Sequence, residues 1–299
     1  MARLWILLVG LACGILGFGG GLYVAGRPVS ADDAPAPRIV NKESPPNRSL
    51  DANLWMQTSA EYRACCHQAY NLARRRLIEK LRDVPPGGWA KPPAVVLDLD
   101  ETVLDNFAFM SRLARSGLGY DQKTWDDFEK NSFNEVRLVP GAKAFLDEAK
   151  RLGVRIVYIS NRSQKQELRD GTLNALELLG IEVAGRDLLC AEETSDKTPR
   201  RIEVEKRYTV LLFCGDNLRD FHEGDFRSTI DNTRPGKGSG DISTLRKAIE
   251  TRALAVDRCS DLFGREWIIF PNPAYGEWMK VAGRGEADND LLTGQPRPR

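Results

Sequence analysis

Ala94-Val95-Val96-Leu97 is an apolar run without polar alternation, and it stops abruptly in Asp98-Leu99-Asp100-Glu101-Thr102. Apolar residues on both sides of a strand fit burial on both faces, the situation of a parallel sheet. Such sheets hold ligands outside the carboxyl ends of their strands, so Asp98 and Asp100 are expected where a substrate binds. Two further segments repeat the pattern. Val154-Arg155-Ile156-Val157-Tyr158-Ile159 follows Gly153, a helix terminator, and ends in Ser160-Asn161-Arg162. Thr209-Val210-Leu211-Leu212-Phe213-Cys214 ends in Gly215-Asp216-Asn217, with Asp220 four residues after Asp216.

Helical periodicity lies between these strands. Phe145, Leu146 and Ala149 share one side of 142–152, and Leu168, Leu173, Leu176 and Leu179 repeat near 3.6 residues. Alternating strands and helices predict an α/β fold whose right-handed crossovers bring the three polar strand ends to one edge. Upstream, 51–82 has the period of one long helix, with Tyr62, Cys65, Ala69, Leu72 and Leu77 facing inward.

The whole set of motifs resembles the class C acid phosphatases, the secreted and lipoprotein 5'-nucleotidase-like branch of the haloacid dehalogenase (HAD) superfamily. The likeness runs from about Trp55 to Trp278. It is carried by Trp55-Met56-Gln57-Thr58-Ser59-Ala60-Glu61-Tyr62, Asp98-Leu99-Asp100-Glu101-Thr102-Val103-Leu104-Asp105-Asn106, Val139-Pro140-Gly141-Ala142 and Ser160-Asn161-Arg162. Gly215-Asp216-Asn217-Leu218-Arg219-Asp220-Phe221 and Phe270-Pro271-Asn272-Pro273-Ala274-Tyr275-Gly276-Glu277-Trp278 complete it. The resemblance implies a HAD-like Rossmannoid parallel sheet flanked by helices, with a small cap inserted at about 107–139. The HAD-like domain would span 51–282.

The chemistry follows from the residue types. Unaided hydrolysis of phosphate monoesters is so slow that accelerations of up to about 10²¹ are needed, which calls for a split path and charge neutralisation. Asp98 is the expected nucleophile, and Asp100, two residues on and pointing to the same side, the acid that protonates the departing oxygen and then activates water. Two carboxylates beside a phosphoryl group call for a cation, and Mg²⁺ suits an oxygen donor set. Its expected ligands are Asp98, Asp216 and, as the resemblance implies, the backbone carbonyl of Asp100. Asp220 is either a partner holding a ligand or metal water, or an exposed first-turn acid favoured by the helix dipole.

Ser160 and the amides around Asn161 are expected to bind phosphoryl oxygens. Lys197 offsets their charge, its place ahead of the third strand resembling that of the family's lysine. Arg162 and Arg200 either hold phosphate or pair with nearby acids. Phe109, Trp125 and Tyr275 stand where similar proteins carry aromatics near the substrate, and a nucleobase could stack between two such rings. The expected substrate is therefore a small phosphate monoester, a nucleoside monophosphate foremost.

Composition removes other classes. The chain has 299 residues and a formal net charge of +1, and setting aside residues 1–31, with Arg3 and Arg27 but no acid, takes it to −1. No basic face is implied, which argues against a nucleic acid polymer as partner. The two histidines, His67 and His222, stand in no Arg-His-Gly arrangement, and no Gly-x-Ser-x-Gly elbow is present. Six cysteines show no metal-type spacing.

Leu4 to Ala25 carries no charge and is long enough to span a bilayer, although its six glycines make a poor helix. Residues 1–31 thus read as a signal peptide, with Val29-Ser30-Ala31 as cleavage site, or as a membrane anchor. The protein is expected to be exported, periplasmic or tethered to the membrane. Gly10-Leu11-Ala12-Cys13 lacks the usual apolar residue three before the cysteine, which argues against lipidation. Residues 32–50, with four prolines, read as a linker, and 283–299 as a polar tail. Two readings of different class remain: a Mg²⁺-dependent phosphomonoesterase, and a noncatalytic relative that keeps the fold for storage or binding.

Overall fold

The computed structural model describes residues 48–118, 120–227 and 242–281. The leader (1–31) with Cys13, nearly all of the linker (32–50) and the tail (283–299) lie outside them. Among the described residues no helix is long and apolar enough to cross a membrane.

Two helices open the described chain, α1 (Arg48–Thr58) and α2 (Ala60–Arg82). The expected single helix is broken because Ser59 adopts extended geometry and caps α2, its hydroxyl accepting from the Tyr62 N–H at 3.0 Å. The break resets the buried face: Cys66 is buried and Cys65 exposed, the reverse of the expectation for Cys65. α1 also begins inside the expected linker, whose last three residues are helical.

The chain continues with β1 (Pro93–Leu97), β2 (Leu104–Asp105), α3 (Phe107–Ser116), α4 (Gln122–Asn131), β3 (Arg137–Leu138), α5 (Ala142–Arg151) and β4 (Arg155–Ser163). It ends with α6 (Gln166–Leu178), β5 (Leu188–Ala191), α7 (Thr198–Arg207), β6 (Thr209–Gly215), α8 (Ile242–Arg258), β7 (Trp267–Ile269) and α9 (Trp278–Val281). A five-stranded sheet has the order β5-β4-β1-β6-β7, and every neighbouring pair in it is parallel. β1, the apolar run, sits at its centre.

Burial on both faces explains that run. Ala94 and Val96 pack with Val157, Ile159, Val204 and Tyr208 on one side, while Val95 and Leu97 enter the larger core of α2 and α5 on the other. Helix α5 buries Phe145, Leu146 and Ala149 as its period requires. α6 buries Leu168 and Leu176 with Gly171, Thr172 and Ala175, so Leu173 and Leu179 fall at its half-buried margin.

The segment between β1 and α5 leaves the sheet and returns through an antiparallel ribbon that pairs Leu104 with Leu138 and Asp105 with Arg137. Helices α3 and α4 lie inside it around Phe109, Trp125 and Phe128, whose rings meet at 5.1–5.6 Å. α4 docks on α6 at Gly171, where an added Cβ would fall 2.1 Å from the Glu129 carbonyl oxygen. Only glycine permits that approach.

Candidate active site

The three strand tips do converge. Past β1 the Asp98 N–H still donates to the Cys214 carbonyl at 2.9 Å, so the ladder with β6 holds the Asp98 backbone as a strand residue. Asp98, Asp216 and Asp220 each offer a carboxylate oxygen, all within 4.8 Å of one another. Asp220 reaches this cluster because Gly215 lacks a side chain: a Cβ there would stand 2.3 Å from Asp220 Oδ2. Asp220 also closes a capping box on the short 3₁₀ turn Leu218–Asp220, accepting from the Asn217 N–H at 2.8 Å. At 8% exposure it is not the exposed first-turn acid of one sequence reading.

Lys197, immediately before α7, is 4% exposed, and its ammonium donates to Asp98 Oδ1 at 2.5 Å and to Asp220 Oδ1 at 2.7 Å. Burial weakens its hold on the proton. Asp220 and Asp98 outweigh that effect and hold the amine charged beyond its ordinary range. Burial pushes the Asp98 carboxyl up to about 7 against the pull of Lys197, with Asp220 and Asp100 adding to the rise. Asp216 is raised well above the carboxylate range by burial and by Asp220 and Asp98, although Asn272 donates to its Oδ2 at 2.7 Å. One lysine therefore does not neutralise this corner.

The oxygens that remain match a hard cation. Lys197 and the Asn217 N–H occupy both oxygens of Asp220, whereas Asp98 Oδ2 and Asp216 Oδ1 accept no hydrogen bond from the described residues. Two such carboxylate oxygens in a half-neutralised setting, Asp98 buried and Asp216 half-buried, fit a divalent ion bound through oxygen. Asp220 then acts through Lys197 and the turn after Asp216.

The β4 tip supplies the opposite wall. Pairing of β4 with β5 shifts register between Ile159 and Ser163, so Ser160, Asn161 and Arg162 occupy an irregular stretch. Ser160 is fully buried; its hydroxyl donates to Asp100 Oδ2 at 3.4 Å and accepts from the Arg162 N–H at 3.1 Å. Arg162, 1% exposed, points its guanidinium at Asp100 and Asn106. Asn161 Oδ1 accepts from Arg200 Nη2 at 2.7 Å, and Arg200 also donates to the Ser160 carbonyl. Arg162 thus pairs with an acid, and Arg200 braces the β4 tip.

A cleft of about 360 Å³ opens between these tips and the α3–α4 insertion. Asp98, Asp100, Lys197 and Asp216 reach its surface, as do Asn161 and Arg162, and Trp125 and Tyr275 line it. Phe109 does not: it is 2% exposed and fills the core between α3 and α4, so the expected substrate contact there is corrected to a packing residue. Met110 and Tyr120 line the cleft instead. Reading the insertion as a helix would have separated these positions, since residues one apart point in different directions.

Sequence reasoning gave no role to Glu101, Asn106, Arg219 or Asn272. Arg219 lines the cleft and pairs with Glu223 at 2.7 Å and Glu277 at 3.4 Å. Glu101 and Asn106 lie inside the motif already singled out, so their position was visible while their partners were not.

A family model described as HAD superfamily, subfamily IIIB (Acid phosphatase) matches residues 38–278. Among solved structures, the class C acid phosphatase from Bacillus anthracis with tungstate bound is 32% identical with a TM-score of 0.66, covering 82% of this chain and 94% of its own. The structure of the class C acid phosphatase from the same organism is 31% identical with a TM-score of 0.65, covering 85% of this chain and 98% of its own.

Proposed function

The chain belongs to the acid phosphatase family of HAD subfamily IIIB and is a phosphomonoesterase, and we propose that it cleaves nucleoside monophosphates with Mg²⁺ through an aspartyl-phosphate on Asp98. The observation that carries this reading is the meeting of Asp98, Asp216, Asp220 and Lys197, all but Asp216 buried, at the ends of β1 and β6. A binding protein has no use for that uncompensated set of charges.

Asp98 attacks phosphorus with one carboxylate oxygen. The bond from phosphorus to the leaving oxygen breaks, its electron pair stays on that oxygen, and Asp100 gives it a proton. Asp100, now a carboxylate, takes a proton from water as the water attacks phosphorus and frees Asp98. Lys197 favours the ionised Asp98 that this attack needs, against burial. Asn161 and the amides of the irregular β4 tip are the donors proposed for the phosphoryl oxygens, whereas Ser160, expected to bind them too, is buried beneath the cleft with its hydroxyl turned to Asp100. Mg²⁺, held by Asp98, Asp216 and the Asp100 carbonyl with Asp220 behind them, would supply positive charge for an anionic substrate.

Nucleoside monophosphates are favoured because Tyr120, Trp125 and Tyr275 line an otherwise charged cleft, and aromatic side chains suit a nucleobase. The tungstate in the Bacillus anthracis relative, an oxyanion, is in keeping with a phosphate-sized site. Export is proposed on the uncharged run from Leu4 to Ala25.

Phosphate release from nucleoside monophosphates, measured with chelator and after Mg²⁺ is restored, tests the reading. Chelator should abolish turnover, Mg²⁺ should restore it, and Asp98→Asn should lower kcat by about 10³-fold or more. Undiminished turnover in chelator or in Asp98→Asn contradicts the mechanism, and no release from any monoester would favour the storage or binding reading.

A further inference from the structure

The two oxygens of Asp100 are treated very differently. Oδ1 accepts from Asn106 Nδ2 at 2.8 Å and Arg162 Nε at 2.9 Å, with the Arg162 Nη2 charge 2.8 Å away. Among the described residues Oδ2 has only the long contact from Ser160 Oγ at 3.4 Å. Two N–H donors fill the two lone-pair sites of Oδ1, so proton traffic falls to Oδ2.

Asn106 makes this arrangement unambiguous. It is 1% exposed, and its Oδ1 accepts from Arg162 Nη2 at 2.9 Å. A guanidinium only donates, so that side of the amide is its oxygen and the NH₂ must face the carboxylates. The same NH₂ donates to Glu101 Oε1 at 3.2 Å, and Glu101 Oε1 also accepts from the Asn106 backbone N–H at 3.1 Å. Glu101 reaches that position only by taking φ +53°, the left-handed region that residues with a Cβ avoid. Strain of this kind persists where surrounding contacts over-determine it, and here it anchors the residue that anchors Asp100.

We propose that Asn106, seated by Glu101 and Arg162, is a positioning residue that turns the Asp100 carboxyl so that Oδ2 serves the leaving group. The inference rests on the acid role of Asp100 given above. When the phosphorus–oxygen bond breaks, its electron pair stays on the leaving oxygen and the proton arrives from Asp100 Oδ2. Without Asn106 the carboxyl is held from the Arg162 side alone and is free to turn about its last bond.

Leaving-group chemistry separates positioning from general damage. Asn106→Ala removes the amide, and the isosteric Asn106→Asp keeps an oxygen for Arg162 while setting an acceptor against Asp100. The readout is kcat/KM, which reports only steps through departure of the leaving group. It should fall about 100-fold for an alkyl phosphate, whose alkoxide needs a proton, and less than about 5-fold for p-nitrophenyl phosphate, whose phenolate does not. The ratio between the two substrates is independent of the fraction of each variant that folds. An equal loss for both substrates, or no loss for either, overturns the proposal. Asp98→Asn is run beside them: if it stays active, the parent mechanism fails, whereas an inactive Asp98→Asn with an unchanged substrate ratio in both Asn106 variants defeats the positioning role alone.

Discussion

At the scale of single residues, charge buried without full compensation is what the fold spends stability on. Glu129 of α4 is 1% exposed, and burial pushes its carboxyl up to about 7, partly resisted by Arg162 and reinforced by Asp100. Thr172 Oγ1 donates to one of its oxygens at 2.9 Å, and the other has no hydrogen-bond partner among the described residues. Between about pH 4.5 and pH 7 the folded chain therefore keeps a proton that the unfolded chain releases, so stability falls as pH rises through that window. The effect approaches about 3 kcal/mol at its upper bound. Glu129→Gln should flatten the fall: in chelator, its melting temperature should depend less on pH between 4.5 and 7 than that of the parent. Parallel curves for the two proteins would show that Glu129 titrates normally.

At the scale of elements, the contact that seats the insertion over the cleft is one residue wide. Gly171→Ala would add a Cβ 2.1 Å from the Glu129 carbonyl and 3.3 Å from the Lys130 Cα, both backbone atoms of α4. Alanine favours an exposed helix by about 1 kcal/mol over glycine, but overpacking against backbone costs about 1–3 kcal/mol, so the clash should win. Helix α4 must back away, and Trp125 moves with it relative to the Arg162 guanidinium that lies 5.4 Å from its ring centroid. A lower melting temperature and a KM for nucleoside monophosphates raised several-fold are expected. A variant that melts and binds like the parent would mean that α4 is not held at this point. Elements were legible in the sequence where one periodicity dominated: β1, β4, β6 and α5 announce themselves by uninterrupted apolar or 3.6-residue patterns. The edge strands β5 and β7 have four and three residues, too short for a period to register, and they are defined by pairing with β4 and β6 instead. The break at Ser59 was masked because helical spacing continues on both sides of it.

At the scale of the whole molecule, the acids that carry the chemistry were legible because strand order brings sequence-distant tips together. Asp98 and Asp216 lie 118 positions apart, yet parallel pairing of β1 with β6 makes them neighbours. Not legible were the contacts that decide what each side chain does. Among them are which oxygen of Asp100 is free, that Arg162 faces an acid, and that Phe109 packs inside the insertion while Tyr120 lines the cleft. These depend on side-chain direction across elements, which spacing within one element does not encode. The covalent role of Asp98 is the claim on which the rest stands. It is tested most directly by quenching Asp100→Asn in acid during reaction with p-nitrophenyl phosphate, a substrate that loads the enzyme without an acid, and mapping the adduct by mass spectrometry. A phosphoryl group on the peptide at Asp98, accompanying a burst of nitrophenol, is the predicted result; nitrophenol released with that peptide unmodified, or with the phosphoryl group on another residue, would contradict it.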